Sequence, residues 1–378
     1  MQLGKFNTVV DSAWGSSGKG AAATRLVDIH GVQNASSGNY PNAGHTAIVN
    51  DVKFVAKALP TPAILKVAKG SNVNLWLGPN SGFQLPQLYK EMEQTGYNIG
   101  DDDVFIHSRA MIVRQRHIDA EQPTGTLSTE HVSSTMSGSG SSYAEKLMRR
   151  PEVEVAGMME ELQPTLEPMD FMKQVRFRMR VGETFLHEVS QGFALSVNYG
   201  THYPFCTFRD CTPQQAYADF GLLPEHVGDV YLNIRSFPIR VGNNYRDGQQ
   251  TGYSGDVLPD QEEITWAEVA AGCEMPEDVA AQLAEAERTT VTKKIRRVFT
   301  FSDQLLHDSA KFTGAAHISL NFLQYIHWSA FKIRGGYEVI PTLHPKVRAF
   351  IEHVEDVACL PVTLIGTGPD HEDYIYLD

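Results

Sequence analysis

The sequence predicts an α/β protein, a single large domain over residues 1–378 around a mostly parallel central sheet, with helices on both faces and loop insertions. Three observations predict it. Short β-prone apolar runs alternate with helical runs along the chain, the order that favours parallel strands with helices packed over them. A glycine-punctuated loop joins the first strand to the first helix. The 378 residues suffice for a sizeable core, and they show no internal repeat, heptad series or low-complexity segment.

Taken in order, Phe6 to Val10 is a short strand with alternate apolar positions. Asp11 to Gly20 is the loop, and Ala21 to Ile29 reads as a helix. Further strands are expected at Ala47–Val49, Val73–Leu77, Val104–Ile106 and Val362–Ile365, with helices at Gln84–Thr95 and Pro345–Ala358. Val132 to Ser142 is rich in serine and glycine, and the capping box Ser142-Tyr143-Ala144-Glu145 predicts a helix that carries Arg149 and Arg150. The segment from Asn243 to Asp260 is polar and glycine-rich, as an inserted excursion over the surface would be. Thr265-Trp266-Ala267-Glu268 is a second capping box, and Pro276 opens a helix to about Glu287.

Composition narrows the function. Against 45 acidic residues stand 32 basic ones, a formal net charge of −13 without a basic tail. A duplex nucleic-acid binder needs cations along its footprint, so that class is disfavoured, whereas a local cluster can still hold one nucleotide. No run approaches the roughly 18 apolar residues of a membrane helix, and Met1 to Asn7 lacks signal-peptide design. Cys206, Cys211, Cys273 and Cys359 have neither disulfide-scaffold density nor zinc-site spacing and read as reduced thiols.

Four loops carry chemistry-bearing residues. Gly15-Ser16-Ser17-Gly18-Lys19-Gly20 lies where strand passes to helix, the position at which backbone amides and a lysine can hold a phosphate. Its spacing departs from the Walker pattern, which excludes an ordinary P-loop kinase. Asn42-Ala43-Gly44-His45-Thr46 precedes an apolar run, so His45 is either a structural residue or a catalytic one. In Thr289 to Arg297, four cations crowd into five residues beside three threonines, a solvated basic face or a carboxylate or phosphate site. Ile365-Gly366-Thr367-Gly368-Pro369-Asp370 is a tight turn after a strand, either plain or a cradle for a base edge.

Together these loops resemble the adenylosuccinate synthetase family, and the resemblance spans nearly the whole chain. Trp14 to Gly20 is similar to its N-terminal phosphate loop, and Asn42 to Thr46 matches its asparagine-alanine-glycine-histidine-threonine intact. Glu188-Val189-Ser190-Gln191-Gly192 and Gly200 to Thr207 resemble its substrate loops, and Thr367 to Asp370 its base loop. The resemblance implies a fold distantly related to P-loop proteins, and a reaction in which a nucleoside triphosphate phosphorylates O6 of a purine monophosphate before aspartate displaces the phosphate. It implies that His45 and Lys19 stabilise the moving phosphoryl group, with Gly18, Gly20, Thr46, Asn321, Gly366, Thr367, Gly368 and Pro369 holding the triphosphate. Gly44 and Ser16 stand at the Mg²⁺ position, and Asn42, Gln191, Thr207 and Thr135 at the acceptor nucleotide. Arg149 matches an arginine lent across a homodimer, and Thr290, Thr292, Arg296 and Arg297 would clamp L-aspartate.

Three departures refine the resemblance. The family's catalytic aspartate is replaced by Ser16, which is no carboxylate base near neutral pH and leaves room beside purine C2. The guanine-reading aspartate is replaced by Asn321, whose amide suits the N6 and N7 edge of adenine. A glycine-arginine-glycine is replaced by Met136-Ser137-Gly138, with loss of a cation. These changes resemble the phage-encoded branch, which joins dGMP to aspartate with ATP or dATP as donor and yields 2-amino-2′-deoxy-N6-succinyladenylate for 2-aminoadenine DNA. The expected location is then the cytoplasm of the host. The rival readings are an ordinary synthetase using IMP and GTP, and an inactive nucleotide-binding homologue. For the proton on guanine N1, Asp11 is the candidate acceptor, or else it caps its own loop.

Overall fold

A computed structural model describes residues 3–99, 103–289 and 292–377. The first strand, β1 (Phe6–Asp11), is buried at every position. Its alternate side chains go to opposite faces, as a strand requires: Val9 joins Leu26, Val27 and Leu75 in one apolar cluster, and Val10 joins Leu232, Leu320 and Val347 in another. The residues Leu26 and Val27 belong to α1 (Lys19–His30), which closes one face, while Val347 comes from the helix Pro345–Ala358 on the other. Truncating a fully buried leucine such as Leu26 to alanine would cost about 2–5 kcal/mol.

Among the described residues the central sheet has nine strands. Their spatial order runs from Tyr374–Tyr376 through Val362–Gly366, His317–Asn321 and Val227–Arg235 to β1. Beyond β1 come Phe185–Glu188, β2 (Asn34–Ser37), Asn74–Leu77 and Val104–Ile106. Every neighbouring pair is parallel except the edge strand Tyr374–Tyr376, which runs antiparallel. Asp11, Glu188, Arg235, Asn321 and Gly366 therefore end five adjacent parallel strands on one edge of the sheet, the edge at which open α/β sheets place their ligands.

Three expectations shift. The apolar run Ala47–Val49 belongs to β3 (His45–Val49), which pairs antiparallel with β4 (Val52–Ala56) in a hairpin outside the central sheet. Asn50 and Asp51 make its two-residue turn, both at positive φ (49° and 63°), as a primed turn demands. The serine-rich segment enters its helix earlier, at Ser139–Leu147 behind Gly138, so Ser142 lies inside the helix with its hydroxyl on Ser139 O (3.1 Å) and Arg149 and Arg150 fall beyond the end. Between Asn243 and Asp260 lies a second hairpin, Asn244–Arg246 with Gln249–Gly252. It is anchored rather than free: Arg246 and Thr251 reach the Glu130 carboxylate at 2.7 and 2.8 Å, and Asn244 N reaches Ser133 Oγ at 3.1 Å.

Candidate active site

The turn after β1 is built from left-handed backbone. Gly15, Ser16 and Gly18 have φ of 88°, 54° and 87°, so the chain doubles back and delivers its amides to the start of α1. Gly20 is required by close approach: a Cβ there would stand 2.9 Å from Thr46 O. Asp11 is fully buried and faces neither cavity described below. Its carboxylate takes Ala13 N–H at 2.6 Å and the Lys19 ammonium at 3.4 Å. Asp11 thus caps its own loop and steers Lys19, the second of the two roles open to it.

His45 begins β3, and the buried end of the strand Phe185–Glu188 comes up against it. His45 Nδ1 lies 2.5 Å from Glu188 Oε1, while Thr61 Oγ1 donates to Glu188 Oε2 at 2.9 Å. Burial alone would raise the Glu188 carboxyl, but His45, with Lys19 and Thr61, holds it below the usual carboxylate range. A carboxylate at Nδ1 fixes the ring and leaves Nε2 for a ligand. Arg209 staples the neighbouring loops, donating to Gly38 O and Ser190 Oγ and to Asn80 O at 2.7 Å.

Two cavities flank this centre. The first, about 610 Å³, is lined by Gly18, Lys19, Gly20, His45, Thr46, Arg296, Asn321, Gly366, Gly368 and Pro369. The second, about 400 Å³, is lined by Asn42, Thr135, Gln191 and Thr207, with Gln191 at φ 62°. Both volumes lie in the ordinary range of ligand pockets. Among the described residues, Ser16 and Gly44 alone line both, so the cavities meet at these two residues. The sequence's triphosphate and acceptor sets thus separate into two chambers. Thr367 is an exception, because its hydroxyl turns inward to Ile333 O (2.7 Å).

The basic loop is divided. Arg296 faces the first cavity with Nη1 3.2 Å from Glu287. Arg297 lines neither cavity, because its fork is taken by Glu263 (Nε–Oε1 2.8 Å, Nη2–Oε2 2.5 Å) and Nη1 by Gly255 O (2.8 Å). Thr292 lines neither cavity but shares a 2.6 Å hydrogen bond with Thr289, which lines the second, and Thr290 lies outside the described residues. Arg149 is exposed just past the end of its helix, next to exposed Leu147 and Met148, and lines neither of the two cavities.

Asn321 shows a chain of amides. Asn233 Nδ2 donates to Ser17 O (2.9 Å), a pure acceptor, which makes Asn233 Oδ1 the acceptor from Asn321 Nδ2 (2.9 Å). Asn321 Nδ2 also donates to Ser319 O (3.1 Å), while its Oδ1 accepts from Tyr374 OH (3.1 Å). Gly366 must lack a side chain, since a Cβ there would collide with this oxygen. Both amide protons are spent inside the protein, so the paired N6 and N7 contact expected of Asn321 is not available. What it still offers is one lone pair on Oδ1, enough for a single N–H and short of the two that a guanine N1–H and N2–H₂ edge requires.

Three residues were given no role from the sequence: Glu188, read only as the start of a substrate loop, Glu287, read only as a helix end, and Arg235. Arg235 Nη2 meets Glu287 at 2.6 Å, its Nη1 supports Ser16 O at 2.9 Å, and its guanidinium lies 3.8 Å from the Phe322 ring centre. Burial would raise Glu287, but Arg235 and Arg296 hold it low. The sequence signal for Glu188 and Arg235 is a charged residue at the end of a largely apolar run, and for Glu287 one more glutamate after an acidic helix, signals that alone have no address.

A family model described as adenylosuccinate synthetase matches residues 8–169 and 152–340. Adenylosuccinate synthetase of Pyrococcus horikoshii is 30% identical over 370 residues, 97% of either chain. The N6-succino-2-amino-2′-deoxyadenylate synthase of Cyanophage S-2L is 33% identical over 327 residues, 84% of this chain and 82% of the relative. A solved structure of the Cyanophage S-2L succinoaminodeoxyadenylate synthetase, bound to dGMP and dATP as an energy donor, matches with a TM-score of 0.78 at 28% identity, covering 99% of this chain and 95% of that one.

Proposed function

The chain belongs to the adenylosuccinate synthetase family, a family of carbon–nitrogen ligases, and on that premise we propose that it joins L-aspartate to dGMP with ATP or dATP as donor. The product would be 2-amino-2′-deoxy-N6-succinyladenylate, with nucleoside diphosphate and phosphate released. The observation that carries the reading is Ser16, an uncharged side chain at the wall shared by both cavities. Its hydroxyl leaves room for an amino group on purine C2, where a carboxylate would serve hypoxanthine. The phage relative's name and the dGMP and dATP bound in the solved phage structure support the same reading.

In this reading the donor occupies the first cavity and the acceptor the second. The guanine O6 attacks the γ-phosphorus as the bond to the diphosphate breaks and N1–H gives its proton to solvent; the aspartate amine then attacks C6, loses a proton to solvent and expels phosphate. Lys19 and the amides that open α1 offset charge on the transferring group, and His45, held by Glu188, donates to it from Nε2 when its ring carries both protons. Gln191, Asn42 and Thr207 orient the base, and Thr135 receives the 5′-phosphate. Arg149 reaches that phosphate from the second subunit of a homodimer, which accounts for its distance from its own cavities. Arg296 takes one carboxylate of the aspartate from the side of the first cavity, and Thr292 holds Thr289 at the wall of the second. Asn321 accepts one N–H from adenine.

The shared wall suits Mg²⁺ in the chemistry of its donors, a Gly44 carbonyl and a Ser16 hydroxyl, both hard oxygens. No group of three or more His, Cys, Asp or Glu among the described residues could hold a metal alone, so phosphate oxygens would supply most of the ligands. Bound there, the ion would neutralise charge on the phosphates. No helix among the described residues is long and apolar enough to cross a membrane. The host cytoplasm is the place of action that the phage relatives suggest.

The end-to-end match with the Pyrococcus enzyme favours a second reading, IMP with GTP. A relic without activity accords poorly with the intact His45–Glu188 pair. The test is to incubate the protein with L-aspartate and Mg²⁺ plus either dGMP and ATP or IMP and GTP, and to identify the succinylated product by mass. Turnover of dGMP with ATP is expected; turnover of IMP with GTP alone would overturn the reading.

A further inference from the structure

We propose that Arg240 binds a carboxylate of the amino-acid substrate in the second cavity; this rests on the ligase reading above and adds a residue to it. Arg240 ends the short strand Ile239–Arg240 and is 2% exposed. Among the described residues no carboxylate lies within ion-pair distance of it. Its guanidinium meets only neutral acceptors: Ser254 O at 2.5 Å, Thr201 Oγ1 at 3.4 Å and Phe205 O at 3.5 Å. The Trp14 ring lies beneath it at 4.2 Å, and its Nε has no partner at all. Gly255 permits this packing, because a Cβ there would stand 2.6 Å from Arg240 Nη1.

A buried cation without a counter-charge is expensive, and the strain is visible. Burial, with Arg297 nearby, pushes the Arg240 guanidinium down to about 9. The other arginines of this region each have a carboxylate partner, Arg235 with Glu287, Arg297 with Glu263, and Arg296 with Glu287 through Nη1 alone, which leaves the rest of its fork toward the first cavity. Arg240 is also the sole lysine or arginine among the described residues that line the second cavity. The one carboxylate there, Glu121, is occupied by Gly138 N–H at 2.8 Å and Ser141 N–H at 2.9 Å. An anion entering the cavity therefore finds one free formal charge.

Two anionic groups enter in the proposed reaction, the acceptor's 5′-phosphate and the carboxylates of aspartate. The phosphate has the hydroxyl-rich segment Ser133–Ser139. Arg240 shares its stretch of wall with Ser254 and Thr289, and Ser254 Oγ takes Arg297 Nη1 at 3.0 Å, which sets this stretch against the basic loop. A carboxylate between Arg240 and Thr289 would be met by a planar fork and a hydroxyl, the pairing that favours carboxylates.

The test compares Arg240→Gln and Arg240→Lys with the parent, using whichever nucleotide pair the parent turns over. For Arg240→Gln the KM for L-aspartate should rise at least about tenfold, with Arg240→Lys in between and both nucleotide KM values within about threefold. A rise confined to the acceptor nucleotide would assign Arg240 to the 5′-phosphate. No change, or a joint change of every KM with Tm, would make it a prop for the Ser254 and Phe205 carbonyls; either result overturns the proposal. If Arg240→Gln fails to fold, Arg240→Lys carries the comparison. Should the parent use IMP with GTP, the nucleotide assignment fails while the aspartate measurement still decides on Arg240. Calorimetric titration of L-aspartate onto nucleotide-loaded protein reads the same difference without turnover.

Discussion

Glu188→Gln isolates one charge at the centre of the site. Glutamine has the shape of glutamate; its carbonyl oxygen can still accept from His45 Nδ1–H, and its amide can face Thr61, whose hydroxyl can turn to Gly20 O at 3.0 Å. The close contacts survive and the anion does not. Losing the anion that orients a catalytic imidazole should lower kcat by about 10–100-fold. It should also leave Lys19 and His45 with less counter-charge in a site where Glu188 is 1% exposed, at a cost of about 3 kcal/mol. For a chain of this size that is about 4 °C in Tm. The pH dependence has a definite sign. Because the folded-state carboxyl is held below its ordinary 4.5, its stabilisation is complete above that pH and is lost as pH falls through the folded-state value. The Tm gap between parent and variant should thus be full at neutral pH and narrow below about 4.5. Steady-state turnover and thermal melts between neutral and acid pH measure both. A kcat within threefold of the parent, or a Tm gap that ignores pH, would refute the role given to Glu188.

His45→Ala should lower turnover by roughly 10²–10³-fold, the scale of one lost transition-state donor; a loss of only a few-fold would remove His45 from the phosphoryl step. Ser16→Asp should impair use of dGMP, and since aspartate tolerates the positive φ of 54° at this position, a Tm close to the parent's would show that the loss is chemical. Asn321→Asp should raise the KM for ATP without bringing in GTP, because the new oxygen would oppose Asn233 Oδ1, which cannot turn while Asn233 holds Ser17 O; a clean switch to GTP would contradict this. Arg296→Leu should raise the KM for aspartate more than Arg297→Leu does, since Arg297 is spent on Glu263, and the reverse order would return Arg297 to the substrate.

The glycine-rich turn, the His45 loop and the C-terminal turn were legible because glycine, lysine and histidine at fixed spacing have few other reasons to stand together. β1 and the strand Val362–Gly366 were legible as apolar runs. Phe185–Glu188, Val227–Arg235 and His317–Asn321 were not, although they form the middle of the sheet. Each breaks its apolar run with polar side chains such as His187, Asn233 and Ser319, which are buried where the strands end at the site. Function therefore masks the strand signal in the place where the site is assembled. The same holds for partners distant in sequence. Nothing near residue 45 announces Glu188, and nothing near residue 321 announces that Asn233 will consume its amide protons. Arg297 misled for the converse reason: a basic run does not disclose which of its members already has a carboxylate, here Glu263.

The partition made by Ser16 and Gly44 has a consequence for traffic through the molecule. If the proposed reading holds, two nucleotides seated in cavities that share only a boundary two residues wide need not queue behind one another. Either could then load first, and the spent diphosphate could leave while the half-finished product stays seated next door.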